Sequence, residues 1–204
     1  MRTRRGFTLM EVLVTVVIFG VVLGVLLVSF LVSKNTYVSS DAYVRIQQEA
    51  RRAFDSMVKE LHQAGQVNNS VAIAAPGVQR LDFQIVRAYD AVACAATNGN
   101  CWGTDDAALP NGWLHYVLDT ADANNARFMR CVTANRLDPM PGGFAGCRVL
   151  ANSLNPALAS TAFTYDHGNR MVTVMLQPTI ISSQLVGGSL TTANPLTTRV
   201  RLRN

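Results

Sequence analysis

The chain has 204 residues, of which 49% are apolar and 15% charged, and its formal net charge is +5. This length fits one compact domain together with a helix that carries it. Three basic residues, Arg2, Arg4 and Arg5, lie at the start, and without them 15 basic and 13 acidic residues remain. So small an excess gives no general argument for a nucleic-acid-binding protein.

An uncharged apolar segment runs from Val12 to Val32. As a helix its 21 residues span roughly 31 Å, close to the hydrocarbon thickness of a bilayer. The basic residues before it should stay on the cytoplasmic side of the membrane. Glu11 immediately precedes this segment, at a position where an unpaired charge is costly. The one processing site that we recognise, Gly6-Phe7, precedes the apolar segment, so cleavage there would leave the helix on the mature chain.

The residues Arg5-Gly6-Phe7-Thr8-Leu9-Met10-Glu11-Val12 resemble the start of type IV pilins and pseudopilins. The resemblance implies that a prepilin peptidase cuts after Gly6 and that the new amino terminus, Phe7, is methylated. It also assigns to Glu11 a role in assembly. Many major pilins have a proline inside this helix, whereas the first proline here is Pro76. The alternative is a plain signal anchor on an unrelated periplasmic domain, which offers no role for Glu11.

The helix is predicted to continue to about Ala64, where Gly65 would end it. Apolar residues recur at spacings of three and four along its second half and predict one buried stripe. The stripe consists of Tyr43, Ile46, Ala50, Phe54, Met57 and Leu61. The predicted regions are a leader (1–6), a membrane or assembly half of the helix (7–32), an amphipathic half (33–64) and a β-rich domain (65–204). Gly20 and Gly24 have the spacing of a close helix-packing motif, although chance explains it equally well.

Four cysteines follow the apolar segment, and an even number in an exported domain favours two disulfides. Three connectivities are possible. We favour Cys94–Cys101 and Cys131–Cys147, because each pair brackets a loop that contains Gly and Asn. A metal site is disfavoured, since no CxxC pair is present and no histidine lies near these cysteines.

The remaining sequence predicts strands joined by turns. Residues 68–79 are expected to form a connection, and 88–111 a surface loop tied by one bridge. The predicted strands are Leu81–Ile85, Trp113–Leu118, Arg127–Val132, Phe163–Tyr165, Met171–Leu176 and about Thr197–Leu202. The second and third are expected to pair with each other, and the fourth and fifth to form a hairpin around Asp166-His167-Gly168-Asn169. One helix followed by strands with short turns predicts an α+β fold, with an antiparallel sheet laid over the long helix. The resemblance to pilins implies the same fold.

No catalytic motif is recognisable, because His62, His115 and His167 are scattered and no serine or cysteine nucleophile is placed beside them by sequence. Oxygen-rich loops at Asp105-Asp106 and Asp119–Asn125 could hold calcium, but turns favour these residues anyway. A basic strip could bind DNA, although a solvated strand face explains it better, since no aromatic residues interleave. This strip would consist of Arg199, Arg201 and Arg203, with Arg127 and Arg130.

The resemblance, the chain length and the Leu202-Arg203-Asn204 ending favour a minor type IV pilin of the PilW type. Such a subunit is stored in the inner membrane with its C-terminal domain in the periplasm, and later joins a surface pilus that serves motility, adhesion or DNA uptake. The implied partners are the prepilin peptidase, major and minor pilins, an inner-membrane assembly platform and membrane lipid. No cofactor, metal or catalytic activity is expected. The alternatives are a J-type pseudopilin of type II secretion and a signal-anchored periplasmic binding module.

Overall fold

The computed structural model describes residues 8–71, 78–97, 99–138, 144–157, 162–181, 189–191 and 194–202. One long helix, α1 (Leu9–Leu61), is followed by eleven strands and a short 3-10 turn (Ala95–Thr97). The strands are β1 (Ala64–Val71), β2 (Val78–Tyr89), β3 (Asn100–Gly103), β4 (Trp113–Asp119), β5 (Ala126–Thr133), β6 (Arg148–Leu154), β7 (Phe163–Asp166), β8 (Met171–Leu176), β9 (Thr179–Ile181), β10 (Ser189–Thr191) and β11 (Leu196–Arg201).

The strands form three antiparallel sheets. The largest has six strands in the order β1-β2-β4-β5-β6, with β3 paired to β2. A second sheet has the order β11-β8-β7, and a third pairs β10 with β9. The architecture is therefore α+β, with one long N-terminal helix packed on an antiparallel sheet, as the sequence predicted.

The core forms where the second half of α1 meets one face of the largest sheet. Ile46, Ala50, Phe54, Met57 and Leu61 of the predicted stripe are buried, while Tyr43 is half-buried. The sheet contributes alternate residues of β2 and β4, because successive side chains of a strand point to opposite faces. These residues are Leu81, Phe83, Ile85, Leu114, Tyr116 and Leu118.

A row of aromatic rings crosses this core. Phe83 stacks on Tyr116 with ring centroids 5.7 Å apart, and Tyr116 lies 5.5 Å from Phe128. Phe128 in turn lies 6.0 Å from Phe163 of the second sheet. Large aromatic side chains contribute strongly to core stability, so this row ties the two sheets together.

Both favoured disulfides are present. Cys94 and Cys101 have Cα atoms 5.4 Å apart, and those of Cys131 and Cys147 are 4.4 Å apart. The second bridge fastens the loop after β5 onto the sheet face away from α1. There Phe144 and Cys147 pack on the buried cluster of Val117, Met129 and Cys131.

The end of α1 differs from the prediction. The helix stops at Leu61, and the N–H groups of His62 and Gln63 bond to the carbonyls of Val58 and Glu60. Gly65 is not the helix stop but lies inside β1. A Cβ atom built there would lie 1.7 Å from the Trp102 ring, so the position is glycine because the indole covers it.

Several strands were not predicted. The expected connection at 68–79 is strand β1 up to Val71 and strand β2 from Val78, and Pro76-Gly77 lies outside the described residues. The expected loop at 88–111 begins with the end of β2 and contains the 3-10 turn and β3. Strands β6, β9 and β10 were also missed. The two predicted strand pairs, β4–β5 and β7–β8, are confirmed.

Candidate assembly site on the N-terminal helix

The first turn of α1 is closed by a reciprocal pair of contacts between Thr8 and Glu11. The Glu11 N–H donates to Thr8 Oγ1 at 3.3 Å, and the Thr8 N–H donates to Glu11 Oε2 at 3.0 Å. Thr8 Oγ1 also lies 3.1 Å from the same Oε2. This is a capping box, which satisfies backbone donors that a helix start otherwise leaves unpaired.

Only one oxygen of the Glu11 carboxylate takes part in this cap. Both Thr8 contacts end on Oε2, and Oε1 has no partner among residues 8–71 or the other described parts of the chain. The side chain is exposed. Glu11 can therefore cap its own helix and still accept a hydrogen bond from another group.

The first half of α1 touches nothing else in the described part of the chain. Every residue from 8 to 38 is exposed, a length of about 45 Å. Nineteen large apolar side chains between Leu9 and Val32 lie on this surface. The helix is long and apolar enough to cross a membrane, and its most apolar stretch is entirely unburied. This surface needs lipid or other helices around it.

Gly20 and Gly24 lie on this exposed half, one helical turn apart. A Cβ atom built on either glycine would meet nothing within 4 Å. The described chain therefore has no partner for the small-residue motif, and a partner would have to be another molecule. Thr15, the only hydroxyl residue between Val12 and Phe19, satisfies itself by donating to the Val12 carbonyl at 2.8 Å.

A charged cluster fixes the other end of α1 to the domain. Glu60 accepts from Arg130 Nε at 2.9 Å and from the Tyr116 hydroxyl at 2.9 Å, and Arg130 also bonds to Asp105. Burial, and then the charge of Glu60, raise the pKa of Tyr116 well above its usual range. Burial opposes the charge of Arg130, but the Glu60 and Asp105 carboxylates outweigh it and raise the guanidinium pKa.

The exposed half of the helix is thus an extension of an element whose other half is clamped. Glu49 adds a second contact, since its Oε1 accepts the backbone N–H of Asn152 at 2.7 Å. Displacing the free half of the helix sideways would strain these contacts. The exposed half therefore continues directly from a part of the helix that is held to the domain at Glu49 and Glu60.

The remaining predicted site residues fall in three groups. Gly6, Phe7 and Arg203 lie outside the described residues. Arg199 and Arg201 are exposed on β11, whereas Arg127 and Arg130 lie on β5 in the other sheet, bonded to Asp119 and to Glu60 with Asp105. The described arginines of β11 and β5 therefore do not form the single strip that was considered for DNA.

Each of the two acidic loops that were considered as calcium sites has one aspartate in an ion pair with an arginine. Asp105 pairs with Arg130, and Asp119 pairs with Arg127. In the described ranges no three His, Cys, Asp or Glu side chains lie close enough together to hold a metal ion.

The histidines are placed in three different surroundings. His62 and His167 are exposed, whereas His115 is fully buried between Asp82 and Thr133. Its Nδ1 lies 2.8 Å from Asp82 Oδ1, and its Nε2 lies 2.7 Å from Thr133 Oγ1.

Sequence reasoning missed this network, because strand register, not sequence proximity, brings the three side chains together. Asp82 stands opposite His115 across β2 and β4, while Thr133 lies on the neighbouring strand β5. The Thr133 hydroxyl donates to the Asn135 carbonyl at 2.7 Å. All three residues are at least 93% buried, so the network joins three strands inside the fold.

Comparison with known proteins adds one finding. Residues 1–27 match the family described as "Prokaryotic N-terminal methylation motif". No curated protein and no solved structure matches the chain. The motif and the exposed apolar helix support a type IV pilin or pseudopilin that is made as a membrane-anchored precursor, processed by a prepilin peptidase and assembled with other pilins.

Proposed function

We propose that this chain is a minor type IV pilin of the PilW type, a structural subunit that primes or joins pilus assembly. The observation that carries the proposal is the divided helix. Its first half exposes a continuous apolar surface, and its second half is built into a folded domain. A soluble protein has no use for such a projection, whereas a subunit that moves from a membrane into a filament requires it.

The free energy involved is large. The nineteen exposed apolar side chains of residues 9–32 would each gain about 1 kcal/mol on being covered, or roughly 20 kcal/mol together. Water is therefore excluded as the environment of this half. Lipid and a bundle of helices are both apolar, so transfer from the membrane to the filament core can be nearly balanced. A motor and an inner-membrane platform would then need to supply only a modest net free energy.

Glu11 would set the register between neighbouring subunits. After cleavage the new amino group would be that of Phe7, four residues before Glu11 in the sequence, and in a staggered bundle it could reach the carboxylate of a neighbour. Oε1 is available for such a contact without breaking the capping box. Away from water an amine–carboxylate pair is strongly attractive and an unpaired carboxylate is costly, so slipped registers would be disfavoured.

In this proposal the chain catalyses no reaction. It is the substrate of a peptidase that cuts between Gly6 and Phe7 and of a methyltransferase that acts on Phe7. The Gly20 and Gly24 face would allow a neighbouring helix to approach closely. The β-rich domain would remain in the periplasm before assembly and would lie on the filament surface afterwards.

The experiment follows the chain into filaments. Filaments are sheared from cells, and from matched cells lacking either the pilus platform or the type II secretion platform. A minor pilin is found in the sheared fraction and is lost only when the pilus platform is deleted. Dependence on the secretion platform alone would identify a pseudopilin. If the chain is absent from every filament, the remaining alternative is a signal-anchored periplasmic binding module.

A further inference from the structure

A groove of about 470 Å³ lies between the second half of α1 and strand β6. The helix side carries Arg45, Glu49 and Arg52, and the strand side is formed by residues 148–150. The groove begins level with Ile46, the first buried residue of α1. It therefore opens beside the exposed half of the helix.

Strand β6 is the edge of the largest sheet, but it is poorly suited to pair with another strand. Its register against β5 shifts twice. At its far end Asn152 is bonded to Glu49, and Leu154 forms a bridge with Pro178. Irregular and covered edges resist β-pairing. Recognition in this groove therefore depends on side chains rather than on strand addition.

The side chains give the groove an excess of positive charge. Within the described ranges, the side chains of Arg52 and Arg148 make neither a hydrogen bond nor an ion pair, and both residues are exposed. Arg45 is paired with Asp41 at 2.8 Å, and its side chain remains 77% exposed. The carboxylate of Glu49 is taken up by the Asn152 N–H. Guanidinium groups bind carboxylates in a bidentate manner, and two are free to do so here.

The residues that line the groove beside these arginines favour a protein partner over a nucleic acid. Val149 is 40% exposed and Leu150 is half-buried, so the strand side offers apolar contact. Single-stranded nucleic acid is usually held by a basic track with aromatic side chains for stacking, and no aromatic residue lines this groove. An acidic protein segment with an apolar side chain fits better.

We infer that the α1–β6 groove docks a carboxylate-bearing segment of a neighbouring subunit, held by Arg52 and Arg148 with Val149 as the apolar contact. The identity of the partner as a subunit rests on the proposed function. The charge preference of the groove does not, because it follows from the side chains alone.

The first experiment measures that preference directly. Full-length protein in detergent is titrated with a short fluorescent oligoglutamate peptide, with oligolysine and a single-stranded oligonucleotide as comparison probes. The double variant Arg52→Glu/Arg148→Glu should bind oligoglutamate about tenfold more weakly than the original chain. Arg51→Glu/Arg199→Glu is the matched control, because it makes the same change of charge at two exposed arginines that do not line the groove, and this variant should bind within about twofold. Equal losses in both variants, or stronger binding of the oligonucleotide, would overturn the assignment.

The second experiment finds the segment in cells. A photoreactive amino acid replaces Val149, and an exposed position on β11, Thr197, serves as the control site. Mass spectrometry should find the crosslink from position 149 on a carboxylate-rich peptide of another subunit, and the crosslink should disappear with Arg52→Glu/Arg148→Glu. A crosslinked peptide without carboxylates, a crosslink to nucleic acid or lipid, or one unaffected by charge reversal would refute the docking. If oligoglutamate binds and the chain is found in sheared filaments but no subunit is crosslinked, the docking of a subunit fails while the proposed function stands; if the chain is absent from filaments, the proposed function fails and only the charge preference of the groove remains.

Discussion

Two substitutions in the first turn of α1 separate capping of the helix from registration of the subunit. Glu11→Gln removes the negative charge but keeps an oxygen for the capping box, since Gln also serves at this position. Thr8→Ala removes the cap hydroxyl, which interacts with Glu11 at 3.1 and 3.3 Å, but keeps the carboxylate. A lost cap costs about 1 kcal/mol. Removing one partner of a buried charge pair costs roughly 2–5 kcal/mol.

These magnitudes give different outcomes in one assay, the amount of chain in sheared filaments relative to the membrane pool. Because about 1.4 kcal/mol corresponds to a factor of ten, Thr8→Ala should lower incorporation by about fivefold and Glu11→Gln by about thirtyfold or more. Both variants should still lose the leader. If Glu11→Gln assembles normally and Thr8→Ala does not, the carboxylate acts only as a cap and the register argument is wrong.

Three further predictions concern processing and stability. Gly6→Val should accumulate as uncleaved precursor on immunoblots, because the peptidase must approach a backbone that only glycine leaves open; normal trimming would refute the cleavage site. Glu60→Ala should lower the free energy of unfolding by about 3 kcal/mol in urea titration. The substitution leaves the Tyr116 hydroxyl without its acceptor and removes one of the two carboxylates that bind Arg130. Lys59→Ala, an exposed neighbour, should change it by less than about 0.5 kcal/mol. The pKa of Tyr116 is raised in the fold, so the native state keeps this proton where the unfolded state loses it, and stability should fall as pH rises past about 10. Tyr116→Phe should make that fall shallower, and an unchanged slope would contradict it.

Much of the fold could be predicted from local patterns in the sequence. The apolar segment and the stripe from Ile46 to Leu61 predicted the helix, because both depend on helical periodicity within one segment. The β7–β8 hairpin was predicted from a local turn sequence, and in the structure Asp166 accepts hydrogen bonds from the N–H groups of Gly168 and Asn169 in that turn. Both cysteine pairs lie close in sequence, within 16 residues, and bracket single loops.

The features that were not predicted depend on contacts between residues that are far apart in the sequence. Strand β1 contains Gln, Ser and two Asn residues and lacks a strand pattern, yet it pairs with β2 along its length. Gly65 resembled a helix stop because the sequence does not show that Trp102 will cover it. The Asp82–His115–Thr133 network was likewise invisible, since it depends on the register of three strands that are far apart in the chain.

The same logic applies to the assembly site. The sequence identified the apolar surface and Glu11, but the reciprocal contacts with Thr8 and the open Oε1 are geometric facts. The groove beside β6 could not be expected either, because β6 itself was not predicted. Its charge excess arises only when Arg148 is brought to the helix face that carries Arg52.

The mass of the amino-terminal peptide, measured on protein from sheared filaments, tests the central claim most directly. We expect a chain that begins at Phe7 and carries one methyl group on its amino nitrogen, with residues 9–32 intact in the filament. A chain in the filament that still begins at Met1, or a mature chain that has lost the apolar segment, would contradict it.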